Sequence, residues 1–341
     1  MMKHTKDCIA KYMEQGHLRN IAVKVGKNGK TFAEIYKSSE TELNCHTLFD
    51  MASVTKVMAT TVLCYIALDK GLLKLTDKVS QFYPVPEDKK EMSVLHLLTH
   101  TMGIGHKNLV VDGNTYENIA EFILKIPSDV KIGSDTLYSC PGYILLGKIL
   151  EQVFGERLDT LFTKYIANPL KLQFSSFLPT QKDNVVNSNV SEAERGIVND
   201  YNCKFLGGVA GNAGLFSCVE DATKFVEMLL RKGAPLFSEE LFLKATKNYT
   251  EACADSRALG FLYVDEKYSQ TGSLFPKGSI GHCGHTGQSV FLDVKSGLYV
   301  IILSDATISI SEKYGTEKYN IVMQMRQDIH NAIKTDLEGK R

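Results

Sequence analysis

The sequence predicts an α+β protein: one antiparallel sheet built from both chain ends and flanked by helices, with a mainly helical segment inserted between its two halves. Three observations carry this prediction. β-rich runs occur near the N-terminus and again beyond residue 260, while the stretch between holds short helical patterns broken by Pro84, Pro86, Pro127, Pro141 and Pro169. Turn residues join neighbouring β runs as hairpins. Helical patterns close both ends of the chain and can cover the sheet. The expected partition is a sheet domain from residues 1–75 and 250–341, and a mainly helical domain from 76–249.

Taken in order, residues 5–15 read as a short helix. Asn20 to Val25 and Thr31 to Tyr36 are strands, and Asn28-Gly29 between them is a strong hairpin signal. Thr55 to Leu68 shows helical spacing at positions 57, 61, 64, 65 and 68, and Gly71 ends it. Ser93 to His100, Tyr116 to Lys125, Pro141 to Phe154 and Glu220 to Leu230 read as helices. Gly260 to Val264, Ser289 to Val294 and Leu298 to Leu303 read as strands, with a turn at Lys295-Ser-Gly297. Lys318 to Lys334 is a final amphipathic helix.

With 341 residues the chain can bury a full core without staples. Lys plus Arg and Asp plus Glu both number 39, a balance that argues against a dedicated nucleic-acid binder. The longest mostly apolar run, Val57 to Leu68, contains Thr60 and Thr61 and meets Asp69 and Lys70, so no membrane span is expected. Residues 1–17 hold no continuous apolar stretch of the secretory type, so the expected location is the cytoplasm. The eight cysteines form no CxxC pair and are expected as free thiols.

The first chemical signal is Ser53-Val-Thr-Lys56, where a helix opens. A serine in the first turn sits near the positive end of the helix dipole, and a lysine three residues on lies on the same face. Serine is a poor nucleophile until a neighbouring base takes its proton, and a lysine can serve. The second copy of the spacing, Ser128-Asp-Val-Lys131, lies between Pro127 and Gly133, where no long helix starts. The plain structural alternative for Ser53 is a helix cap followed by a surface lysine. Two further segments favour chemistry. Tyr138-Ser-Cys140 precedes the helix at Pro141, and His285-Thr-Gly287 precedes the strand at Ser289. A strand edge supplies backbone N–H groups for half of an oxyanion hole, the N–H of Ser53 supplies the other half, and Gly287 lets backbone approach a substrate closely.

In order and approximate spacing these three segments resemble the motifs of the penicillin-recognising serine hydrolases. The tyrosine of the middle motif is similar to the class C β-lactamase branch, which includes D-alanyl-D-alanine carboxypeptidases and family VIII carboxylesterases. Residues 92–103, ending Leu-Leu-Thr-His-Thr-Met-Gly103, and the glycine-rich residues 207–217 resemble further family stretches. The resemblance implies a β-lactamase/transpeptidase-like fold and a serine hydrolase. Ser53 would form an acyl-enzyme, Lys56 and Tyr138 would share the base role, and Tyr138 would pass a proton to the leaving group. Cys140, His285, Thr286, Gly287 and Gln288 would contact substrate, with the N–H of Gln288 completing the oxyanion hole. Two departures stand out: Cys140 replaces an asparagine whose amide can bind a substrate carbonyl, and His285 replaces the lysine of β-lactamases. Both lean towards an esterase-like acyl hydrolase on small ester, amide or β-lactam substrates. A β-lactamase or D-amino-acid-specific peptidase is the alternative, and a non-catalytic binding protein on the same fold a further one.

No cofactor is expected. His96 and His100 are spaced i, i+4 but have no HExxH pattern and no helping carboxylate, and His282-Cys-Gly-His285 reads better as part of a catalytic strand, so no metal site is predicted. Residues 207–214 lack both phosphate-loop spacings and read as a glycine-dense turn near the pocket.

Overall fold

The computed structural model describes residues 2–267, 270–306 and 317–339. Strands β1 (Asn20–Lys27) and β2 (Lys30–Ser38) form the predicted hairpin. Asn28 and Gly29 take φ of 50° and 74°, the left-handed pair that a tight two-residue turn needs. Two very short strands come next in the chain's middle, β3 (Phe49–Asp50) and β4 (Ser176–Phe177), followed by β5 (Leu215–Ser217). The C-terminal part supplies β6 (Leu262–Tyr263), β7 (Ile280–Cys283), β8 (Ser289–Asp293) and β9 (Leu298–Ser304). The main sheet runs β2-β1-β9-β8-β7-β6, antiparallel throughout. β1 pairs with β9, Val23 opposite Ile302, so the two chain ends meet inside the sheet as expected.

Side-chain alternation gives this sheet two buried faces. Ile21, Val23, Val25, Val300 and Ile302 face one core with helix α1 (Lys3–Glu14) and the C-terminal helix Lys318–Glu338. Ala22, Ile301, Leu303, Val290 and Leu292 face the larger core. The two terminal helices are tied by Asp336, whose carboxylate accepts from the N–H groups of His4 at 3.1 Å and Thr5 at 2.8 Å. Burial pushes the Asp336 carboxyl up, but the donors of Thr5 and His4 outweigh it and hold it at about 2.

The larger core surrounds the segment after β3. A 3₁₀ turn, Ala52–Val54, leads into a wide π-helical stretch, Lys56–Thr61, and then α2 (Val62–Asp69). The predicted helix is therefore real but unevenly wound. Residues 52–69 are long and apolar enough to cross a membrane, yet 89% of them lie inside the protein, so they serve as its central core helix. Helix α5 (Cys140–Phe154) packs against it, and α3 (Val94–Leu98) and α4 (Ile119–Lys125) pack in turn on α5. Ser139 caps α5 by accepting from the N–H of Gly142 at 3.0 Å, Pro141 occupies its first turn, and Gly155 ends it at φ 73°.

Strand β7 and the small sheet are among the elements that lie outside the sequence expectations. β7 reads Ile-Gly-His-Cys, too short and too glycine-rich to show a strand pattern. The small sheet β3-β5-β4 has strands of two or three residues, below any periodicity. It fixes the entry to the core helix, because Met51 N–H donates to the Leu215 carbonyl at 2.9 Å.

Candidate active site

The turn that presents Ser53 is backed by a buried carboxylate. Asp50 Oδ1 accepts from Ala52 N–H and Oδ2 from Asn199 N–H, both at 2.8 Å. Ala52 is held at φ 45°, a left-handed conformation that costs an alanine about 1–2 kcal/mol. Such strain persists only where surrounding bonds over-determine it. Burial lifts the Asp50 carboxyl to about 6, against the lowering effect of its two N–H donors.

Ser53 Oγ accepts hydrogen bonds from Lys56 Nζ at 3.0 Å and from Tyr138 Oη at 2.7 Å. Lys56 is fully buried, and its ammonium also donates to the Asn212 carbonyl at 3.0 Å and to Cys140 Sγ at 3.5 Å. The Asn212 carbonyl is delivered by the glycine-rich turn. Gly211 lies so close to α5 that a Cβ would come within 2.0 Å of the Tyr143 carbonyl. Thr60 Oγ1 donates to the Gly211 carbonyl at 2.7 Å, and Asn212 Nδ2 donates to Asp200 at 3.0 Å. Burial pulls the Lys56 ammonium down, but neighbouring Cys140 and Tyr138 outweigh it and hold it above the usual lysine range. Burial raises the Tyr138 phenol, and Lys56 brings it only part of the way back.

The third segment forms a tight loop between β7 and β8. Gly284 N–H donates to the Gln288 carbonyl at 2.9 Å, and Gly287 N–H to the Gly284 carbonyl at 3.0 Å. Gly287 sits at φ 117°, and a Cβ there would meet Ser304 Oγ at 2.0 Å. Gly284 packs directly on the nucleophile's turn, 2.8 Å from the Met51 carbonyl measured from where a Cβ would stand. The loop's backbone is thus brought beside Ser53. The Thr286 and Gln288 side chains turn inwards: Thr286 donates to Gln288 Oε1, and Gln288 Nε2 donates to the carbonyls of Asp50 at 2.5 Å and Ser304 at 3.0 Å. His285 bonds Asn199 Oδ1 through Nε2 at 2.5 Å. Burial lowers His285 to about 4, against the pull of Asp200, so it is neutral at pH 7.

A profile of the family described as Beta-lactamase matches residues 5–318. The chain belongs to the beta-lactamase family. Among curated relatives, an N-acetylmuramyl-L-alanine amidase of Bacillus subtilis is 26% identical over 80% of this chain and 72% of its own length. A putative D-alanyl-D-alanine carboxypeptidase of Escherichia coli K12 is 28% identical over 76% of this chain and 69% of its own. Solved structures share the fold. EstCE1, described as a hydrolase with promiscuous acyltransferase activity, superposes with a TM-score of 0.77 at 18% identity, covering 96% of this chain and 98% of that one. An octameric penicillin-binding protein homologue from Pyrococcus abyssi gives 0.72 at 20% identity, covering 90% and 75%. The α+β, β-lactamase/transpeptidase-like architecture expected from the motifs is the one observed.

In this beta-lactamase-family chain Ser53, Tyr138 and His285 line a cleft of about 280 Å³ together with Asp255, Arg257 and Arg326. Sequence reading missed the last three, because no motif or spacing marks them. Arg326, from the C-terminal helix, donates to the carbonyls of Gly287 at 3.4 Å and Gly284 and to Gln270 at 2.7 Å, and so braces the loop. Arg257 is 4% exposed, lies 5.7 Å from the Tyr138 ring centroid and pairs with Asp255 at 3.3 Å. Its Nε and Nη1 have no hydrogen-bond partner among the described residues. Cys140 lies behind Lys56 and does not line the cleft itself.

The histidines considered for metal binding have other duties. His96 Nδ1 accepts from Ser93 N–H at 3.1 Å and His100 Nδ1 from Ser139 N–H at 3.0 Å. Among the described residues one group, Cys45, His46 and Glu220, brings three ligand atoms within 4.8 Å of one another. There Glu220 already pairs with His46 at 2.7 Å and Lys224 at 2.8 Å. All eight cysteines are free thiols.

Proposed function

We propose that this protein is a serine hydrolase acting through an acyl-enzyme on Ser53, esterase-like and directed to small acyl substrates. The observation that carries the reading is the convergence of Lys56 Nζ and Tyr138 Oη on Ser53 Oγ, at 3.0 and 2.7 Å. A nucleophile hydrogen-bonded to a basic group and an acidic group has both partners an acyl transfer needs. Ser53 attacks the substrate carbonyl as its proton passes to the Lys56–Tyr138 pair. The oxyanion forms beside the backbone N–H groups of Ser53 and Gln288. The Tyr138 phenol protonates the leaving group as its bond to carbon breaks, and water attacks the acyl-enzyme by the reverse proton path.

The ester preference rests on the cleft's His285, which is neutral and so a weak anchor for a carboxylate, while Cys140, turned to Lys56, puts no amide into the cleft. A second reading, a hydrolase of carboxylate-bearing amides such as β-lactams or D-amino-acid peptides, is favoured by Arg257, whose buried guanidinium lies at the cleft with two nitrogens unpartnered among the described residues. The names of the amidase and carboxypeptidase relatives agree with that reading.

The test is paired turnover of a short-chain p-nitrophenyl ester and a chromogenic cephalosporin by wild type and Ser53→Ala. Ester cleavage well ahead of cephalosporin cleavage, and lost in the variant, is the expected result. Dominant cephalosporin cleavage moves the assignment to the second reading. Ester cleavage retained by Ser53→Ala removes the nucleophile assignment altogether.

A further inference from the structure

Two buried side chains of the cleft hold hydrogen-bonding capacity that the fold leaves unused. His282 stands on β7, where the pleat puts it with Ile280 on the larger-core face and sends Cys283 towards the terminal helices. It is 2% exposed, and its ring lies 6.3 Å from that of Tyr138, centre to centre. Nδ1 sits 2.8 Å from the Cys283 carbonyl. A carbonyl only accepts, so Nδ1 carries the proton and Nε2 presents a lone pair. That Nε2 has no hydrogen-bond partner among the described residues. A second proton on the ring would put a buried cation in the same cleft as Arg257, whose guanidinium is always charged. In agreement, burial and the charges of Lys56 and Arg257 hold His282 well below the usual histidine range.

Arg257 supplies the opposite kind of group. Its backbone is pinned on both sides: its N–H donates to Thr250 Oγ1 at 2.8 Å, and its carbonyl accepts from Tyr249 N–H at 2.7 Å. Its guanidinium lies 5.7 Å from the centre of the same Tyr138 ring, and Nε and Nη1 donate to nothing among the described residues. Both residues line the cleft that holds Ser53. Donors and an acceptor thus flank Tyr138, the group that hands its proton to the leaving group. Taken alone, Arg257 suits a carboxylate. Taken with His282 it does not, because a carboxylate has only lone pairs to set against the lone pair of Nε2. An ammonium serves His282 and is repelled by Arg257. A hydroxyl accepts from one and donates to the other.

We propose that His282 and Arg257 form a leaving-group subsite that reads hydroxyl groups, so that the preferred substrates are acyl esters of a polyhydroxy alcohol. The inference rests on the Ser53 acyl-enzyme reading and names the alcohol half of its ester. The ester oxygen takes the Tyr138 proton as its bond to the acyl carbon breaks. A neighbouring hydroxyl of the same alcohol donates to His282 Nε2 and accepts from Arg257. A plain alkyl alcohol leaves both buried groups unpaired. A site built around such groups rejects the analogue that lacks the hydroxyl far more strongly than an apolar pocket rejects a missing methylene. His282 and Arg257 therefore set specificity, while the proton path stays with Lys56 and Tyr138.

The test compares three butyrate esters that share the acyl half: the monoester of glycerol, the same ester with its free hydroxyls O-methylated, and the ester of glycolate. The methylated ester keeps acceptors for Arg257 and loses the donor for His282, and the glycolate ester offers a carboxylate instead. With wild type, kcat/KM for the glycerol ester should exceed that for either of the others by about 10–100-fold. His282→Phe should bring the glycerol and methylated esters within about three-fold of each other, and His282→Gln, whose Oε1 keeps an acceptor, should restore part of the gap. Thermal midpoints verify folding, and the wild-type comparison stands by itself where a variant does not fold. Wild type that treats the glycerol and methylated esters alike overturns the proposal. So does a gap that survives in His282→Phe, which marks a steric preference, and so does a faster glycolate ester, which returns the subsite to a carboxylate. Cleavage that persists in Ser53→Ala, or a wild type inert to all three esters, instead overturns the acyl-ester reading beneath it, so the two failures are distinct.

Discussion

The two walls of the cleft differ in where their charge resides. On the Lys56 wall, a fully buried ammonium is surrounded by acceptors and two ionisable neighbours, Tyr138 and Cys140. On the His285 wall, the titratable side chain is neutral at pH 7 and tied to Asn199, while Thr286 and Gln288 bond inwards to the fold. The first wall can move protons and the second supplies shape and backbone donors. A motif residue's chemical capacity is thus set by its neighbours as much as by its type.

The sharpest way to break this division is at the nucleophile. Ser53→Ala should reduce ester turnover to background while costing at most about 1–2 kcal/mol of stability, as for other residues of a helix's first turn. Burst and steady-state assays beside a denaturant curve check both halves. Next in size, Tyr138→Phe should lower kcat by about 10²–10⁴-fold with little change in KM, because the lost group acts on protons rather than on binding. A KM effect alone would move Tyr138 to the binding wall.

The third prediction concerns pH and stability. His285 and His330, both lowered to about 4 chiefly by burial, bind protons more readily unfolded than folded. Their contribution is present above about 6.5, the ordinary histidine value, and is lost as pH falls towards 4. Asp50, raised to about 6 by burial, acts in the opposite sense: its contribution is complete below the ordinary carboxylate value and is lost as pH rises through 6. Buried His100 and His282 are lowered too and Asp305 is raised, so the histidines outnumber the carboxyls and stability falls between pH 6.5 and 4, at roughly 1.4 kcal/mol per pH unit for each unbalanced proton. Urea midpoints across that window check it, and a flat profile would show that the buried histidines are not held neutral by the fold. The smallest effect is expected from His285→Lys, which adds a cation to the quiet wall. It should improve KM for a carboxylate-bearing substrate by a few-fold and leave neutral-ester kcat within about two-fold, since the proton path is untouched.

Much of this arrangement was legible in the sequence because its key contacts are local or carried by motifs. Ser53 and Lys56 are three residues apart, and Tyr138 stands at a capped, proline-started helix. The hairpin at Asn28-Gly29 follows from which residues tolerate positive φ. What was not legible depends on distance along the chain. Asn212 reaches Lys56 through a carbonyl, which any residue has, and only the surrounding glycines hinted at the close approach. Asp50 ends a two-residue strand and Asn199 lies in a loop, and no pattern links the two. Arg257 and Arg326 come from a loop and a terminal helix, and neither sits in a motif. Cys140 was read as a missing amide, whereas its sulfur faces the lysine rather than the cleft.

The pairing of β1 with β9 also sets an order of events during synthesis. The β1–β2 hairpin emerges early, but its partner strand is made only after the whole helical segment. At roughly 5–20 residues per second the open edge of β1 waits on the order of tens of seconds for β9. Through that interval the nascent chain carries an unpaired, apolar strand edge able to add a foreign strand. Lys24 and Lys27, both in β1, are the charges that the strand itself carries while it waits.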